Sequence, residues 1–406
     1  MPQDRRPLGL YLHVPFCRSK CVYCDFYSLA GREGQMDDYA DALCAHLTEM
    51  AAFAGGYRVD TVYFGGGTPS LLGEKRLLAI WKVIQRRYCL DRDAEVTLEA
   101  NPDSAGDRRA MSRLRRAGFN RISLGMQSAD DEELRTIGRI HTWDQTRAAV
   151  EAVRAAGFDN LSLDLIYGLP RQTMDRWKKN VDAACSLAPE HLSCYGLKVE
   201  EGTPLFARQA EAALPGDEEQ ADDYLWMVEE LERRGYRQYE ISNFARPGRE
   251  SRHNLKYWTL QEYLGFGPGA HSDVGGVRCA YGRDLEGYLR GVRTHTLTFS
   301  QQDRIPPEDR DTEWIMLGLR TARGLDPAEY ERRFRRRFAP FEPFFRTCAA
   351  AGYALWEEGR WRLTPRGFLV SNQIIGELLD RLGEEKRRRA EASDRVDHRF
   401  PPEDRR

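Results

Sequence analysis

Three cysteines, Cys17, Cys21 and Cys24, stand within eight residues near the amino terminus, in the segment HVPFCRSKCVYCDF. Their spacing is C-x3-C-x2-C, and no second close pair of cysteines follows. A structural zinc site requires four ligands, commonly in two separated pairs, whereas a redox pair requires only C-x2-C. A cubane iron–sulfur cluster usually takes four thiolates, so three would leave one iron open to a ligand from outside the protein. The spacing therefore favours such a cluster over zinc, a redox pair or three coincidental core cysteines.

A glycine run and several polar residues follow the later predicted strands. The run is YFGGGTPS at residues 63–70. Glycines let a ligand approach backbone groups closely, although such a run is also common in tight turns. Glu99, Gln127, Arg139 and Asp164 lie at or near successive strand ends. Each alone could be a cap or a surface residue, but the four together suit contacts to ribose, carboxylate and amide groups.

These residues need a scaffold that brings strand ends together, and a repeated strand–helix pattern provides one. Helix-like stretches lie near 37–54, 74–89, 107–117, 143–156 and 174–187. Between them lie short apolar runs that are typical of buried parallel strands: Gly9–Val14, Thr61–Phe64, Glu95–Glu99, Arg121–Met126, Asn160–Ile166 and His191–Gly196. Six such units predict an α/β fold, a partial (β/α)6 TIM-like barrel, with its chemistry at the carboxyl ends of the strands.

The regular repeat ends near residue 205. A helical stretch at 217–235 precedes an aromatic and glycine-rich segment, and "ALWEEGRWRLTPRGF" predicts a hairpin that turns at Glu358–Gly359. With the helices before it, this hairpin resembles a winged helix; the nearby run ERRFRRRF is interpreted as a solvated helix face. We expect a barrel core at 1–210, a barrel extension at 211–299, a C-terminal α+β unit at 300–382 and a disordered charged tail at 383–406.

Composition restricts the class of protein. The chain has 406 residues, of which 41% are hydrophobic and 31% charged, and its net charge is -2. This balance is typical of a soluble globular protein and gives no general attraction for nucleic acid or membranes. The sequence contains neither an apolar run long enough to span a bilayer nor a signal-peptide pattern. We therefore expect a reducing cytoplasm, in which the six scattered cysteines are small apolar residues.

Taken together, the cysteine loop, the glycine run and the strand-end residues resemble the radical S-adenosylmethionine (SAM) superfamily. From about residue 8 to 380 the chain is similar to the anaerobic coproporphyrinogen III oxidase-like branch, the HemN/HemW family. The resemblance implies a [4Fe-4S] cluster on the three cysteines, with SAM chelating the open iron through its amino and carboxylate groups. Electron transfer from the cluster would then cleave the sulfonium to a 5′-deoxyadenosyl radical. The implied SAM contacts are Tyr11, Tyr23, Gly65, Gly66, Gly67, Thr68, Glu99, Gln127, Arg139 and Asp164.

Two features distinguish members of this family. HemN, which decarboxylates coproporphyrinogen III, carries a further cysteine two residues after the third, where this chain has Phe26. The segments HNLKYW and YLGFGPGAHS match motifs of the HemW-type haem chaperones, so the resemblance implies haem binding with a neutral imidazole as iron ligand. His271 and His13 are the second and third candidates for that ligand. The first candidate and its neighbours are His253, Asn254, Tyr257 and Trp258.

A lone histidine near aromatic residues is, by itself, more often a hydrogen-bonded core residue than a ligand. The resemblance implies a haem chaperone that holds the cluster, SAM and haem and delivers haem to haem proteins. One alternative is an oxygen-independent coproporphyrinogen III dehydrogenase, in which the radical abstracts a propionate β-hydrogen and CO2 leaves. Another is a haem-degrading radical SAM methyltransferase. The sequence leaves open whether SAM is cleaved, whether the chain forms a homodimer, and whether a partner brings it to a membrane surface.

Overall fold

The computed structural model describes residues 5–397, with the side chains of residues 5–388. The strands are β1 (Arg6–Val14), β2 (Phe16–Cys17), β3 (Leu29–Ala30), β4 (Tyr57–Gly66), β5 (Leu90–Ala100), β6 (Arg121–Gln127), β7 (Leu161–Tyr167), β8 (His191–Gly196), β9 (Arg237–Gln238), β10 (Asn243–Ala245), β11 (Tyr263–Phe266), β12 (His271–Val274), β13 (Val277–Ala280), β14 (Gln301–Arg304), β15 (Ala354–Glu357) and β16 (Arg360–Leu363).

The α-helices are α1 (Met36–Met50), α2 (Gly73–Arg87), α3 (Pro102–Ala105), α4 (Arg108–Ala117), α5 (Asp131–Thr136), α6 (Trp143–Ala155), α7 (Met174–Ser186), α8 (Pro204–Ala207), α9 (Asp217–Arg233), α10 (Arg252–Trp258), α11 (Leu285–Arg293), α12 (Arg310–Gly318), α13 (Pro327–Phe334), α14 (Glu342–Ala350), α15 (Pro365–Leu369) and α16 (Ser371–Asp397). Short 3-10 turns occupy Glu33–Gln35, Phe53–Gly56, Pro69–Leu72 and Ala339–Phe341.

One open sheet forms the scaffold, in the order β14-β13-β12-β11-β1-β4-β5-β6-β7-β8-β10-β9. The run from β1 through β4 to β8 is parallel and contains the six predicted strands, so the predicted α/β partial-barrel scaffold is confirmed. The sheet also has a parallel strand that sequence analysis missed, because β11 pairs with β1 on the side away from β4.

Alternation along β1 separates its two faces. Leu8, Leu10 and Leu12 have no exposed surface, and the register partner of Leu12 in β11, Phe266, contacts His46 of α1 with ring centroids 5.0 Å apart. Because successive side chains of a strand point to opposite faces, the even-numbered positions of β1 and β11 face the helices. The odd-numbered positions face the concave side of the sheet, which we call the concave face.

The chain divides into two compact units, Met1–Ile305 and Pro306–Arg406. The expected barrel core and barrel extension thus share one unit, because β9 to β14 continue the same sheet. In the second unit β15 and β16 form the predicted hairpin, and φ angles of 50° at Glu358 and 75° at Gly359 make its turn.

The charged tail differs from the sequence prediction. Residues 383–397 are helical rather than disordered, as the end of α16, and residues 398–406 lie outside the described part of the chain. The helix begins with a buried apolar stripe that includes Ile374, Leu378 and Leu382. Beyond the stripe, Glu, Lys, Arg and Ala have high helix propensity, which explains why the helix continues. None of the described helices is both long and apolar enough to cross a bilayer.

Candidate functional site

The cysteine loop is anchored to the glycine run by backbone hydrogen bonds. Gly67 N donates to Val14 O at 2.8 Å, and Thr68 N donates to Phe16 O at 2.7 Å. A Cβ on Gly67 would lie 2.7 Å from Phe16 O and 3.1 Å from Cys17 Sγ. Only glycine therefore allows the end of β4 to lie this close to the first cysteine.

The three thiols are all partly exposed and close enough to interact. Burial raises the pKa values of Cys17 and Cys24, and the neighbouring Cys21 adds to both shifts. Thr68 Oγ1 donates to Cys17 Sγ at 3.5 Å.

Within residues 5–388, no three histidine, cysteine, aspartate or glutamate side chains converge closely enough to hold a single metal ion. A cubane cluster makes a different demand, because each thiolate binds a different iron and the sulfurs lie around the cluster rather than around one ion. Three partly exposed thiols on one loop are a donor set that suits such a cluster.

A chain of hydrogen bonds runs from the third-cysteine region to the first cysteine. Arg139 donates through Nη2 to Tyr23 OH and through Nη1 to Asn101 Oδ1, both at 2.9 Å. Asn101 Nδ2 donates to Thr68 Oγ1 at 3.0 Å, and Thr68 in turn reaches Cys17. Sequence analysis named Tyr23, Arg139 and Thr68 but missed Asn101. Its signal was the Asn-Pro pair after β5, a polar residue at a strand end.

The same network borders a small cavity lined in part by Cys21, Thr68, Asn101, Arg139 and His141. Arg139 Nε is buried there without a hydrogen-bond partner among the described residues. A buried donor without a partner is costly, so this atom is expected to serve a ligand or a water molecule. The cavity and its unused donor are consistent with SAM binding beside the thiols.

Two predicted acids lie on the concave face and are both engaged by neighbours. Glu99 accepts from Tyr63 OH at 2.7 Å and from Gly66 N at 3.1 Å, and burial raises its pKa to about 7. Asp164 accepts from Ser123 Oγ at 3.1 Å, and burial raises its pKa as well. Both carboxyl groups are thus held in fixed orientations.

Two further predicted contacts show special backbone geometry. Gln127 is buried and has a φ of 62°, a conformation that non-glycine residues rarely adopt and that is enriched at functional sites. Gly66 has a φ of 113°, and a Cβ there would lie 2.7 Å from the ring of His13.

Tyr11 OH and His13 Nδ1 lie 3.0 Å apart, and His13 Nε2 lies 2.8 Å from Tyr27 O of the cysteine loop.

The HNLKYW segment forms α10, which lies at the opposite end of the strands. His253 Nδ1 lies 2.8 Å from Thr61 Oγ1 of β4, and its backbone N donates to Glu95 Oε1 of β5 at 3.0 Å. His253 Nε2 lies 2.8 Å from Tyr257 OH. The ring has no exposed surface, and burial lowers its pKa to about 3.

Both ring nitrogens of His253 thus lie within hydrogen-bond distance of a hydroxyl group inside the barrel, and iron ligation by this residue stays a prediction. The geometry is that of a hydrogen-bonded core histidine, the alternative that sequence analysis raised. Around it Asn254, Tyr257 and Trp258 are partly exposed. Of the other candidates, His13 is buried and doubly hydrogen-bonded, whereas His271 is exposed.

Comparison with protein-family models finds two matches. Residues 11–184 match the radical SAM superfamily, and residues 305–370 match the HemN C-terminal domain. The solved structure of coproporphyrinogen III oxidase (HemN) from Escherichia coli is similar over 92% of this chain and 90% of that chain, with a TM-score of 0.79 and 25% sequence identity.

Curated relatives are similar over nearly the whole chain. The heme chaperone HemW of Bacillus subtilis is 34% identical over 376 residues, which cover 92% of this chain and 99% of that protein. The heme chaperone HemW of Mycobacterium tuberculosis is 37% identical over 383 residues, which cover 93% of this chain and 96% of that protein. The heme chaperone HemW of Escherichia coli is 35% identical, with coverage of 91% and 97%.

Proposed function

The chain belongs to the radical SAM superfamily and, within it, to the HemW family, and on that premise we propose that it is a haem chaperone, which binds haem and delivers it to haem proteins. The observation that carries the proposal is the similarity to HemW proteins, at 34–37% identity over more than nine-tenths of both chains. The partners that follow are haem itself and the proteins that accept it.

Membership of the superfamily implies a [4Fe-4S] cluster and SAM as cofactors. Cys17, Cys21 and Cys24 would hold the cluster, and the cavity bordered by Arg139 and Asn101 would receive part of SAM. When bound, this pair of cofactors supplies one-electron reduction of the sulfonium. The protein orients the site through the hydrogen bonds that join Tyr23, Arg139, Asn101 and Thr68. Buried Glu99 presents a carboxyl group whose pKa is raised to about 7, so it can be either protonated or ionised near neutral pH.

The residue after Asp25 supports a chaperone over a decarboxylase. Phe26 occupies the position of the further cysteine of HemN, and it is 64% exposed. It therefore adds no sulfur donor beside the cluster loop and presents an apolar ring to solvent.

The nine free cysteines of the chain also fit the reducing cytoplasm, where we place the activity.

One experiment separates the chaperone from the dehydrogenase. The protein with reconstituted cluster is incubated anaerobically with SAM, a reductant and coproporphyrinogen III, and in parallel it is loaded with haem and mixed with an apo-haem protein. We expect haem transfer to the acceptor, seen as its characteristic spectrum, and no protoporphyrinogen IX. Formation of protoporphyrinogen IX, or failure to bind and transfer haem, would overturn the proposal. Phe26→Cys is the matched variant for the decarboxylation assay.

A further inference from the structure

The short helix α5 carries a buried carboxylate. Its residue Glu133 is 1% exposed. Three side-chain donors converge on Oε2 of this residue: Ser128 Oγ at 2.6 Å, Asn180 Nδ2 at 2.8 Å and Gln172 Nε2 at 3.2 Å. Oε1 lies 3.3 Å from Arg176 Nε. Because a buried charge is costly unless it is paired and hydrogen-bonded, these partners hold the carboxylate in one fixed position.

The partners of Glu133 also hold the turns that follow β6 and β7, the strands that carry two of the predicted SAM contacts. Asn180 Oδ1 accepts from Ala129 N at 2.9 Å, two residues after the end of β6. Gln172 Oε1 accepts from Gly168 N at 2.8 Å, directly after the end of β7. The network therefore joins two neighbouring strand ends to α5 and α7.

The carboxyl end of α5 holds the cysteine loop. Ile137 N donates to Glu133 O at 3.2 Å, and Ile137 O accepts from Val22 N at 3.2 Å. Gly138 follows with a φ of 77°, and a Cβ on it would lie 3.3 Å from Val22 Cγ1 and 3.6 Å from Cys21 Cα. The turn after α5 therefore packs against the backbone at the second cysteine.

The same turn forms part of the wall of the small cavity beside the thiols. Gly138 and Arg139 both line that cavity, and Arg139 Nη2 donates to Tyr23 OH at 2.9 Å. Ile137 has no exposed surface and belongs to an apolar cluster against which Tyr23 packs. One three-residue segment, 137–139, thus fixes both the aromatic residue before the third cysteine and the buried guanidinium.

We propose that Glu133 is a positioning residue of the cofactor site: its carboxylate anchors α5, and the turn after α5 holds Tyr23 and Arg139 in place at the cavity. This inference rests on the proposed [4Fe-4S] cluster and SAM, and it concerns a residue outside the lining of the cavity. A glutamine at position 133 could not replace the carboxylate. Its NH2 group would face either the three donors at Oε2 or the guanidinium of Arg176, and two donors form no hydrogen bond.

The test uses the full chain with an anaerobically reconstituted and reduced cluster, whose electron paramagnetic resonance spectrum is followed during a titration with SAM. We expect Glu133→Gln to keep the cluster, because all three cysteines remain. It should need about tenfold more SAM to change the spectrum, since a displaced turn no longer holds Tyr23 and Arg139 in place. The matched control is Glu132→Gln, the same change of charge on the same helix, at a side chain that is 65% exposed and also pairs with Arg176. This variant should titrate as the wild-type protein does.

The outcomes separate positioning from stabilisation of the fold. If folded Glu133→Gln has the wild-type affinity for SAM and the wild-type spectrum, the network only stabilises the fold and the inference is wrong, even if the melting temperature falls. If Glu133→Gln does not fold, Arg176→Gln decides, because its side chain is 26% exposed and reaches the network from the solvent side. We expect about threefold weaker SAM binding from that variant, and an unchanged affinity would overturn the inference.

The wild-type protein tests the premise by itself. If it takes up no cluster, or if the spectrum of its cluster does not respond to SAM, the proposed cofactors fail and the inference fails with them. If the wild-type protein responds to SAM and the variants respond equally well, the cofactors stand and only the role of Glu133 is wrong.

Discussion

Replacement of His253 by alanine tests whether this residue is part of the core. The imidazole is fully buried and pairs with the hydroxyl groups of Thr61 and Tyr257. Its removal leaves both hydroxyls without their partner and opens a cavity the size of the ring. A buried polar group left without a partner costs about 1–3 kcal/mol, and truncation of a large core side chain costs about 3–5 kcal/mol.

We therefore expect His253→Ala to lower the free energy of unfolding by about 3–5 kcal/mol. For a unit that spans Met1–Ile305 the melting temperature should fall by roughly 5–8 °C. The measurement is thermal and urea unfolding of protein prepared without haem, so that ligand binding does not add to stability. Tyr257→Phe, which removes one hydroxyl partner and little volume, should cost about 1 kcal/mol.

The control is His295→Asn, which should change the free energy of unfolding by less than about 0.5 kcal/mol, because the side chain is 80% exposed and asparagine tolerates the φ of 55° at this position. The reasoning would be refuted if His253→Ala were as stable as the wild-type protein. That result would mean that the ring contributes nothing to the barrel interior and is kept for another role, such as iron ligation.

Three other predictions concern the cluster, a buried acid and a turn. Replacement of Cys17, Cys21 or Cys24 by serine should abolish the brown cluster absorbance after anaerobic reconstitution, while Cys44→Ser should keep it. Survival of the cluster in all three serine variants at the cluster loop would contradict the assignment. Because the pKa of Glu99 is raised to about 7, its contribution to stability is present below the ordinary pKa of glutamate and is lost as pH rises through about 7. Glu99→Gln should remove up to about 3 kcal/mol of that pH dependence in urea unfolding between pH 4 and 8, and an unchanged profile would contradict this origin. Glu358→Asn should raise the stability of the C-terminal unit by about 0.5–1 kcal/mol, since Glu358 has a φ of 50° that asparagine tolerates better; a loss of stability would show that the turn relaxes in solution.

Local patterns in the sequence carried much of the site. Spacing placed three thiols on one loop, and the apolar runs that end in polar or glycine residues located six strands and the edge where their carboxyl ends meet. The hairpin of the C-terminal unit followed from its turn and its alternating side chains. These features are readable because neighbouring residues determine them.

Other features depend on partners far away in the chain. β11 has four residues and becomes a parallel strand only because β1, about 250 residues earlier, offers a free edge: Leu12 pairs with Phe266. Asn101 gains its role only when folding brings Thr68 and Arg139 to either side of its amide. No local pattern encodes such pairings.

The HNLKYW segment shows the limit most clearly. The sequence by itself determined that a histidine and two aromatic residues lie within six residues of one another, a set that suits either haem or a core. The tertiary structure decided the surroundings of His253, because Thr61, 192 residues away in the chain, lies 2.8 Å from one ring nitrogen and Tyr257 lies 2.8 Å from the other. Partners so far apart in the sequence meet only when the chain folds, and for that reason the sequence alone could not show them.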